Sequence, residues 1–280
     1  MGQEIELALK RSIKECFAPG KIQEAAHYAL FPGGKRLRPR LALFFAQAFG
    51  APRAHALSFA CAIEFIHNYT LIHDDLPAMD NADLRRGKPS CHKAYNEATA
   101  ILAGDALQPL AFEIIAAHPS KLTAEQRLQM IQVLTHASGI SGMAAGQSLD
   151  LIGVNTLNNL AEMYHLKTGM LLTACVKLGA IASKTRHPNH LLEKFAQCIG
   201  HAFQIQDDLL DIEGTVETLG KPHKLDQTNQ KITYPTLIGI EQSRQQVQSL
   251  HHTALESIAF LKEQGNLIKE FTDYLLHRKN

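Results

Sequence analysis

A group of three aspartates in FQIQDDLLDIEG has the residue types and spacing of a divalent-cation site. Asp207, Asp208 and Asp211 are spaced D-D-x-x-D. On an α-helix the i,i+3 and i,i+4 relations place all three carboxylates along one edge. Mg²⁺ takes oxygen ligands from one or two carboxylates and completes its octahedron with water and substrate phosphate. The alternative interpretation of this triplet alone is a solvated acidic helix end.

A second acidic group lies in LIHDDLPAMDNADLRRGKP, where Asp74, Asp75 and Asp80 are spaced D-D-x-x-x-x-D. In a straight helix, six residues of separation would leave Asp80 well away from Asp74 around the axis. Pro77 lies between them, and proline cannot donate to the helical hydrogen-bond ladder. A break there would return Asp80 to the side of Asp74. Taken alone, this group can also be a capped helix terminus.

The two acidic groups together favour metal binding over two independent acidic helix ends. Each group follows a long apolar helical pattern, at 54–72 and at 190–212. If these helices pack side by side, the acids face each other across the mouth of a cavity. Crowded carboxylates raise one another's pKa and destabilise the fold unless positive charge lies between them. Mg²⁺ with a bound diphosphate would supply that charge and an anionic ligand.

Basic residues are grouped before and after the apolar helical pattern at 54–72. The stretch GGKRLRPRL, at 33–41, places four cations after two glycines, and the arginine pair at 85–86 follows the first acidic group. A proline that fixes cations near a helix start, where backbone N–H groups also favour phosphate, predicts a second anion site. Such runs are also typical of solvated faces or of nucleic-acid patches. The net charge of +1 and the absence of interleaved aromatic residues argue against nucleic acid.

The composition describes a chain able to build a large core without a bulk charge. Of its 280 residues, 45% are hydrophobic, and 28 basic residues face 27 acidic ones. The five cysteines are scattered without a C-x-x-C pair, which is typical of reduced cytosolic thiols. The N-terminus lacks the apolar core of a signal peptide, and no unbroken apolar run approaches 18 residues. We therefore expect a cytoplasmic protein with no integral membrane segment.

The periodicity of the chain is helical throughout. Apolar residues recur at i, i+3, i+4 and i+7 between prolines and glycines, and no β-branched alternation or glycine-rich loop after a strand indicates a sheet or a nucleotide-binding fold. The patterns at 54–72 and 190–212 are apolar over a wide arc, which predicts buried central helices. We predict an all-α fold with one domain over 1–280, a bundle of about a dozen helices around a central cavity.

Eight motifs occur in an order that resembles the trans-prenyl diphosphate synthases, most closely the short-chain bacterial farnesyl diphosphate synthase group. These motifs are GGKRLRP, EFIHNYTLIHDDLPAMDNADLRRGKP, GDAL, GQSLDL, KTGML, FQIQDDLLD, LGK and QKITYP. The resemblance runs from about residue 28 to beyond residue 234. It implies the isoprenoid synthase fold, a homodimer, and a Mg²⁺-assisted condensation of isopentenyl diphosphate with dimethylallyl and geranyl diphosphate.

The resemblance also implies roles for individual residues. It assigns Mg²⁺, three ions per active site with Mn²⁺ able to substitute, to the six aspartates Asp74, Asp75, Asp80, Asp207, Asp208 and Asp211. It assigns isopentenyl diphosphate to Lys35, Arg38, His67 and Arg86. It assigns the allylic diphosphate to Arg85, Lys167, Lys221 and Lys231. The catalytic residues around the carbocation are Lys167, Thr168 and Gln204. Without the family, His67 would be an ordinary core histidine.

Product length is the least determined expectation. Tyr69 and Thr70 lie five and four residues before Asp74, roughly 6 to 7.5 Å down the helix. In the family an aromatic residue at the position of Tyr69 goes with a C15 product, which predicts (2E,6E)-farnesyl diphosphate. A geranylgeranyl (C20) or geranyl (C10) diphosphate synthase remains the alternative within this chemistry. On sequence alone Tyr69 would be an ordinary core aromatic.

Two other classes of protein share part of the pattern. A terpene cyclase uses D-D-x-x-D chemistry but needs no second diphosphate site, and a non-catalytic regulatory subunit is expected to have lost acidic residues. The chain also departs from the family at two places. His201 replaces an aliphatic residue before AFQIQDD, where it would face the tail cavity or pack between helices, and Lys224 replaces a small residue in LGKPHKLDQ. Neither departure removes a catalytic group.

Overall fold

The structure is a computed structural model that describes residues 1–16, 19–31, 33–117, 121–183, 187–213 and 232–276, with Glu213 described by its backbone alone. The helices up to the first acidic group are α1 (Gly2–Glu15), α2 (Ile22–Leu30), α3 (Leu37–Ala48) and α4 (Arg53–Asp74). The middle of the chain forms α5 (Cys91–Ala94), α6 (Glu97–Ala117), α7 (Ala124–Ser138), α8 (Met143–Ile152) and α9 (Leu157–Tyr164). A π-helical turn (His165–Gly169) then leads into α10 (Met170–Ile181).

The C-terminal half of the bundle begins with α11 (Asn189–Glu213). It continues with α12 (Tyr234–Ile238), α13 (Ile240–Ser257), a 3₁₀ segment (Ala259–Gly265) and α14 (Asn266–Leu276). Helices thus form nearly all of the described chain, and the predicted all-α fold of about a dozen helices is confirmed. The single domain over 1–280 stays a prediction.

The core lies between α3, α4, α10 and α11 because these helices are apolar around most of their circumference. The largest fully buried side chains include Phe45 on α3, Phe59 and Phe65 on α4, and Phe195 on α11. Phe45 and Phe195 meet edge to face, with ring centroids 5.2 Å apart. The two helices that end in acidic groups are therefore the central helices that the sequence predicted.

The end of α4 folds back as the sequence predicted from Pro77. The helix stops at Asp74, and the N–H of Asp80 donates to the carbonyl oxygen of Asp74 at 2.8 Å. The N–H of Ala82 returns to the carbonyl oxygen of Asp75 at 3.1 Å. Since the chain turns on itself here, Asp80 lies next to Asp74 despite the six residues between them.

A small hairpin follows this turn, and no strand was predicted for it. The strands Leu84–Arg85 and Lys88–Pro89 pair antiparallel through a two-residue turn at Arg86 and Gly87. Both turn residues have positive φ, 54° and 74°, as a hairpin turn of this length favours. The hairpin presents Arg85 and Arg86 next to the end of α4, and each points to a different neighbour.

The π-helical turn His165–Gly169 interrupts the helix that runs from α9 into α10. Such bulges are rare in helices and are frequent at functional sites. Helix α8 packs directly on this turn at Gly146, where an added Cβ would lie 2.2 Å from the backbone nitrogen of Lys167. A residue without a side chain is therefore required for the close approach of α8 to the turn.

Arg36 anchors the loop before α3 to the core and is itself buried. Its guanidinium forms ion pairs with Glu6 at 2.7 Å and with Glu64, and it donates to the carbonyl oxygen of Leu30 at 2.6 Å. A buried charge needs such partners to offset its desolvation. One of the four cations predicted at 33–41 is therefore structural, and its contacts fix the position of its neighbours.

Helix α6 combines an apolar composition with a partly exposed surface. Over an 18-residue window its mean hydropathy is 1.4, and 33% of that window is buried. By length and composition it is the one helix of the described chain that could cross a membrane, which is weak evidence because core helices pass the same test. No unbroken apolar run marks this helix in the sequence, because Glu97, Asp105 and Glu113 interrupt it. It packs against α4, where Gly104 gives room for the ring of His73.

Candidate active site

Asp74 and Asp80 form a pair of carboxylates whose charge the protein alone does not fully compensate. The pKa of Asp74 is raised to about 6, mainly by burial and also by the neighbouring Asp80 and Asp75. Lys167 and Arg85 act in the opposite direction without restoring the ordinary pKa of 3.8. Lys167, on the π-helical turn, thus acts electrostatically on Asp74 at the end of α4. This pair is the part of the first acidic group that most needs added positive charge.

Asp75 differs from its neighbours because it is engaged by Arg85. Its side chain is only 2% exposed, and the Arg85 Nε donates to Asp75 Oδ1 at 3.0 Å, with Nη2 donating to the same oxygen. Burial raises the pKa of Asp75, and the Arg85 hydrogen bond lowers it. In this arrangement Asp75 holds Arg85 in place next to Asp74, which differs from a direct metal ligand.

The π-helical turn provides polar groups to a pocket beside the second acidic group. Lys167 Nζ donates to Asp150 Oδ2 at 2.6 Å, and Thr168 Oγ1 donates to Gln204 Oε1 at 2.8 Å. These residues line a pocket of about 120 Å³ that also reaches Asp208. The structure therefore brings together all three residues predicted as catalytic. Asp150 belongs to the motif GQSLDL, which is part of the resemblance, but it was not among the predicted site residues.

The second acidic group lies at the end of α11 with unequal exposure. Asp208 and Asp211 are 5% and 3% exposed, whereas Asp207 is half-buried. Asp208 Oδ2 accepts from Tyr164 Oη at 2.6 Å and from the N–H of Tyr234 at 3.1 Å. Two hydrogen bonds to one oxygen orient this carboxylate, while Asp207 has the most exposed side chain of the three.

The basic residues predicted for a second anion meet around His67. Arg38 Nη1 lies 3.5 Å from His67 Nε2, and an added Cβ on Gly34 would lie 3.2 Å from the Nε of Arg86. Burial together with Arg38, Arg86 and other arginines holds the pKa of His67 well below its usual range. Such a concentration of cations around a neutral ring is suited to a diphosphate. Lys35, in the same loop, is exposed.

Arg40 is separate from this basic cluster. Its guanidinium lies over the ring of Phe271 on α14, 5.1 Å from the centroid. With Arg36 directed into the core, the stretch 33–41 divides into structural cations and the two, Lys35 and Arg38, that remain candidates for a ligand.

Tyr69 and Thr70 occupy the face of α4 below the first acidic group. Burial, with a contribution from Asp74, raises the pKa of Tyr69 to about 12, and its ring meets His73 edge to face at 5.8 Å. Both side chains are half-buried. Thr70 Oγ1 donates to the carbonyl oxygen of His67 at 2.7 Å, so its hydroxyl is bound within the helix. Tyr69 therefore has the volume, and Thr70 has little, to limit the depth of a cavity here.

A larger groove of about 1220 Å³ lies elsewhere, between α7 and α10. It is lined by glutamine, histidine and small apolar side chains, among them Gln129, His136 and Thr173. None of the six aspartates or of the basic residues around His67 lines it. The size of this groove does not make it the site, because the chemistry lies around the two acidic groups.

The donor set fits Mg²⁺, although no complete ligand cage is preformed. In the described part of the chain, no group of three or more His, Cys, Asp or Glu side chains is arranged to hold a metal ion. The aspartates offer carboxylate oxygens, which are the ligands that Mg²⁺ prefers. The raised pKa of Asp74 shows that a cation beside it would be stabilising. Mg²⁺ commonly takes few protein ligands and completes its shell with phosphate and water. Lys221, Lys231 and Lys224 lie outside the described residues.

Comparisons with known proteins agree with this geometry. The family model for polyprenyl synthetase matches residues 19–267. The farnesyl diphosphate synthase of Haemophilus influenzae is 45% identical over 92% of this chain and 89% of its own length. The chloroplastic geranylgeranyl pyrophosphate synthase 9 of Arabidopsis thaliana is also 45% identical, over 86% of this chain and 69% of its own. A crystal structure of a geranyltransferase from Legionella pneumophila superposes with a TM-score of 0.89 at 39% identity, covering 100% and 95% of the two chains.

An all-α bundle in which two helices end in acidic groups fits the class of isoprenyl diphosphate synthases, and both the sequence and the structural comparisons lead to this class. The chain belongs to the polyprenyl synthetase family. Members of this family use divalent metal ions. A relative named farnesyl (C15) diphosphate synthase and one named geranylgeranyl (C20) pyrophosphate synthase are both 45% identical to this chain, so sequence identity alone does not set the product length.

Replacing Asp74 with Asn is expected to raise the melting temperature of the metal-free protein, and to raise it more at pH 8 than at pH 5. The pKa of Asp74 is raised to about 6, so stability from its protonated form is lost as pH rises through that value. Asp74 is therefore ionised and destabilising at pH 8, and largely protonated at pH 5. Because Asn carries no charge at either pH, the substitution relieves a larger cost at pH 8. Thermal denaturation in a chelator, at both pH values, measures the effect.

The matched control is Asp83→Asn. Asp83 is exposed and its pKa is lowered by the hydrogen bond from Lys93, so the amide should lower stability slightly at pH 8. An equal gain for Asp74→Asn at the two pH values would contradict the raised pKa.

Proposed function

We propose that this chain condenses isopentenyl diphosphate with dimethylallyl and then geranyl diphosphate to give (2E,6E)-farnesyl diphosphate. The observation that supports this most is that two groups of charged residues lie two turns apart on one face of α4. Asp74, on which Lys167 acts electrostatically, is at the end of the helix, and His67 with Arg38 is two turns earlier. Two sites are needed to join two diphosphates, whereas a cyclase needs one.

The allylic diphosphate would lie between the two acidic groups. Asp74 and Asp80 from one wall and Asp207 from the other would hold Mg²⁺, with Asp208 and Asp211 in support and Asp75 holding Arg85. Bound there, Mg²⁺ supplies a Lewis acid that stabilises charge on the leaving diphosphate. Lys167, Arg85, Lys221 and Lys231 would supply fixed positive charge to the same oxygens.

The chemistry then depends on exclusion of water and on the position of oxygen dipoles. Breaking the allylic C–O bond leaves an allylic carbocation, which the Thr168 hydroxyl, the Gln204 amide oxygen and the Lys167 carbonyl would stabilise in a dry cavity. The π electrons of isopentenyl diphosphate form the new C–C bond. A proton leaves the adjacent carbon and goes to the departed diphosphate. No protein nucleophile is required.

Isopentenyl diphosphate would be bound by Lys35, Arg38, His67 and Arg86. Replacing Arg38 with Ala should raise KM for isopentenyl diphosphate about 10- to 100-fold, which corresponds to one charge-assisted hydrogen bond, and should change KM for the allylic substrate much less. The assay uses purified protein, Mg²⁺, dimethylallyl diphosphate and labelled isopentenyl diphosphate, followed by chain-length analysis.

Arg40→Ala is the matched control because Arg40 packs on Phe271 and not at His67. It should leave both KM values unchanged. Wild-type protein that gives no product would favour a regulatory subunit, and a cyclised hydrocarbon from farnesyl diphosphate would favour a cyclase.

Tyr69 would limit the product to C15. Its half-buried ring lies about 7.5 Å below Asp74 along α4, in the direction the growing tail must take. Tyr69→Ala should shift the main product from C15 to C20 or longer in the same assay, while Tyr274→Ala, an exposed tyrosine on α14, should leave it at C15. A C15 product from Tyr69→Ala would reject the gate, and a C20 product from the wild type would favour the geranylgeranyl alternative.

We also propose a homodimer, with α6 in the interface. One face of this apolar helix packs on α4, and the remaining surface leaves Ile101 and Leu102 41% and 49% exposed. A second copy of the chain would cover them. Leu102→Glu should convert a particle with the mass of two chains to one chain in light scattering after size exclusion. Leu7→Glu, on exposed α1, should not. A wild-type monomer would reject the proposal.

A cytoplasmic location for the protein remains a prediction.

A further inference from the structure

His201 is a half-buried polar residue of α11 that lies on the same side of the helix as Gln204 and Asp208, one and two turns further on. It follows buried Ile199 and precedes buried Ala202 and Ile205. An imidazole in such a place is costly unless it finds a hydrogen-bond partner. The sequence departs from the family here, and none of the assigned roles uses this residue.

The partner of His201 is Tyr234, the first residue of α12. His201 Nε2 and Tyr234 Oη are hydrogen-bonded, and the two rings meet edge to face with centroids 5.0 Å apart. Burial lowers the pKa of His201 to about 4, so its ring is neutral at physiological pH, and burial raises the pKa of Tyr234 to about 12. The bond therefore joins two neutral groups over a wide pH range.

Tyr234 connects this bond to the second acidic group. Its backbone N–H donates to Asp208 Oδ2 at 3.1 Å, and its ring stacks on Tyr164, with centroids 5.8 Å apart. Tyr164 Oη donates to the same oxygen at 2.6 Å. Asp208 is thus oriented by two tyrosines, and the side chain of one of them is held by His201.

We propose that His201 is a positioning residue: through its hydrogen bond to Tyr234 it fixes the start of α12 on Asp208, and so orients the second acidic group toward the metal and diphosphate. This rests on the proposed function of that group. Metal-site residues outside the ligands commonly act in this way, by fixing the orientation of a carboxylate.

The alternative is that His201 only fills space between α11 and α12. The two accounts differ in what they predict for variants that remove the bond but keep the packing. Tyr234→Phe removes the hydroxyl and keeps the stacked ring and the backbone N–H. His201→Leu restores the aliphatic residue typical of the family, and His201→Gln keeps a side chain able to hydrogen-bond.

The test measures the Mg²⁺ concentration that gives half of the rise in melting temperature produced by Mg²⁺ with inorganic diphosphate. His201→Leu and Tyr234→Phe should each raise this concentration about three- to tenfold, as expected for one neutral hydrogen bond. The double variant should be no worse than either single variant, because both remove the same bond. His201→Gln should recover part of the loss. Steady-state kinetics should show a matching rise in the Mg²⁺ requirement.

His187→Leu is the matched control. His187 is also hydrogen-bonded to a hydroxyl, Ser183 Oγ at 2.7 Å, but it lines the groove between α7 and α10. The substitution His187→Leu should leave the Mg²⁺ requirement unchanged. The proposal is overturned if His201→Leu and Tyr234→Phe lower the melting temperature without moving the Mg²⁺ midpoint, or if their effects on that midpoint multiply. Wild-type protein that shows no response to Mg²⁺ with diphosphate would instead count against the proposed function itself.

Discussion

The arrangement of this protein depends on carboxylates that the fold crowds together without enough positive charge of its own. Asp74 shows this most clearly, since burial and its acidic neighbours raise its pKa to about 6 even with Lys167 and Arg85 nearby. A structure can hold such a group only if the surrounding core is strong enough to impose it. Here the core is formed by α3, α4, α10 and α11, which are packed by buried phenylalanines. The unfavourable charge is what makes this end of the bundle receptive to a cation.

Other buried charges in the same region are matched by partners, and that contrast separates structure from chemistry. Arg36 is satisfied by Glu64 and Glu6, and Asp75 by Arg85. Asp208 is satisfied by two tyrosines. These groups set the geometry of the site, whereas the proposed function gives Asp74, Asp80 and Asp207 the contacts with metal. Within the basic stretch the proposal uses Arg38 for the substrate, while Arg40 packs on Phe271.

Much of this was predictable from local sequence. Apolar periodicity gave α4 and α11 as central helices, and the break at Pro77 predicted that Asp80 would return to Asp74. What local patterns could not give are features set by contacts between distant residues. The hairpin requires a positive φ at Arg86 and Gly87, and the close approach of α8 to the π-helical turn requires a residue without a side chain at Gly146. Asp75 and Asp208 differ from the other acids because Arg85 and Tyr234 bind them, and the positions of these two residues are defined only by the folded chain.

The most direct measurement is a crystal structure with Mn²⁺ and a non-reactive allylic diphosphate analogue, in which anomalous scattering locates the metal. The account predicts Mn²⁺ ions that link Asp74 and Asp80 to the analogue's diphosphate, and a further ion that links Asp207 to the same diphosphate. An analogue that binds in this cavity with metal on only one acidic group, or with no metal at all, would contradict it.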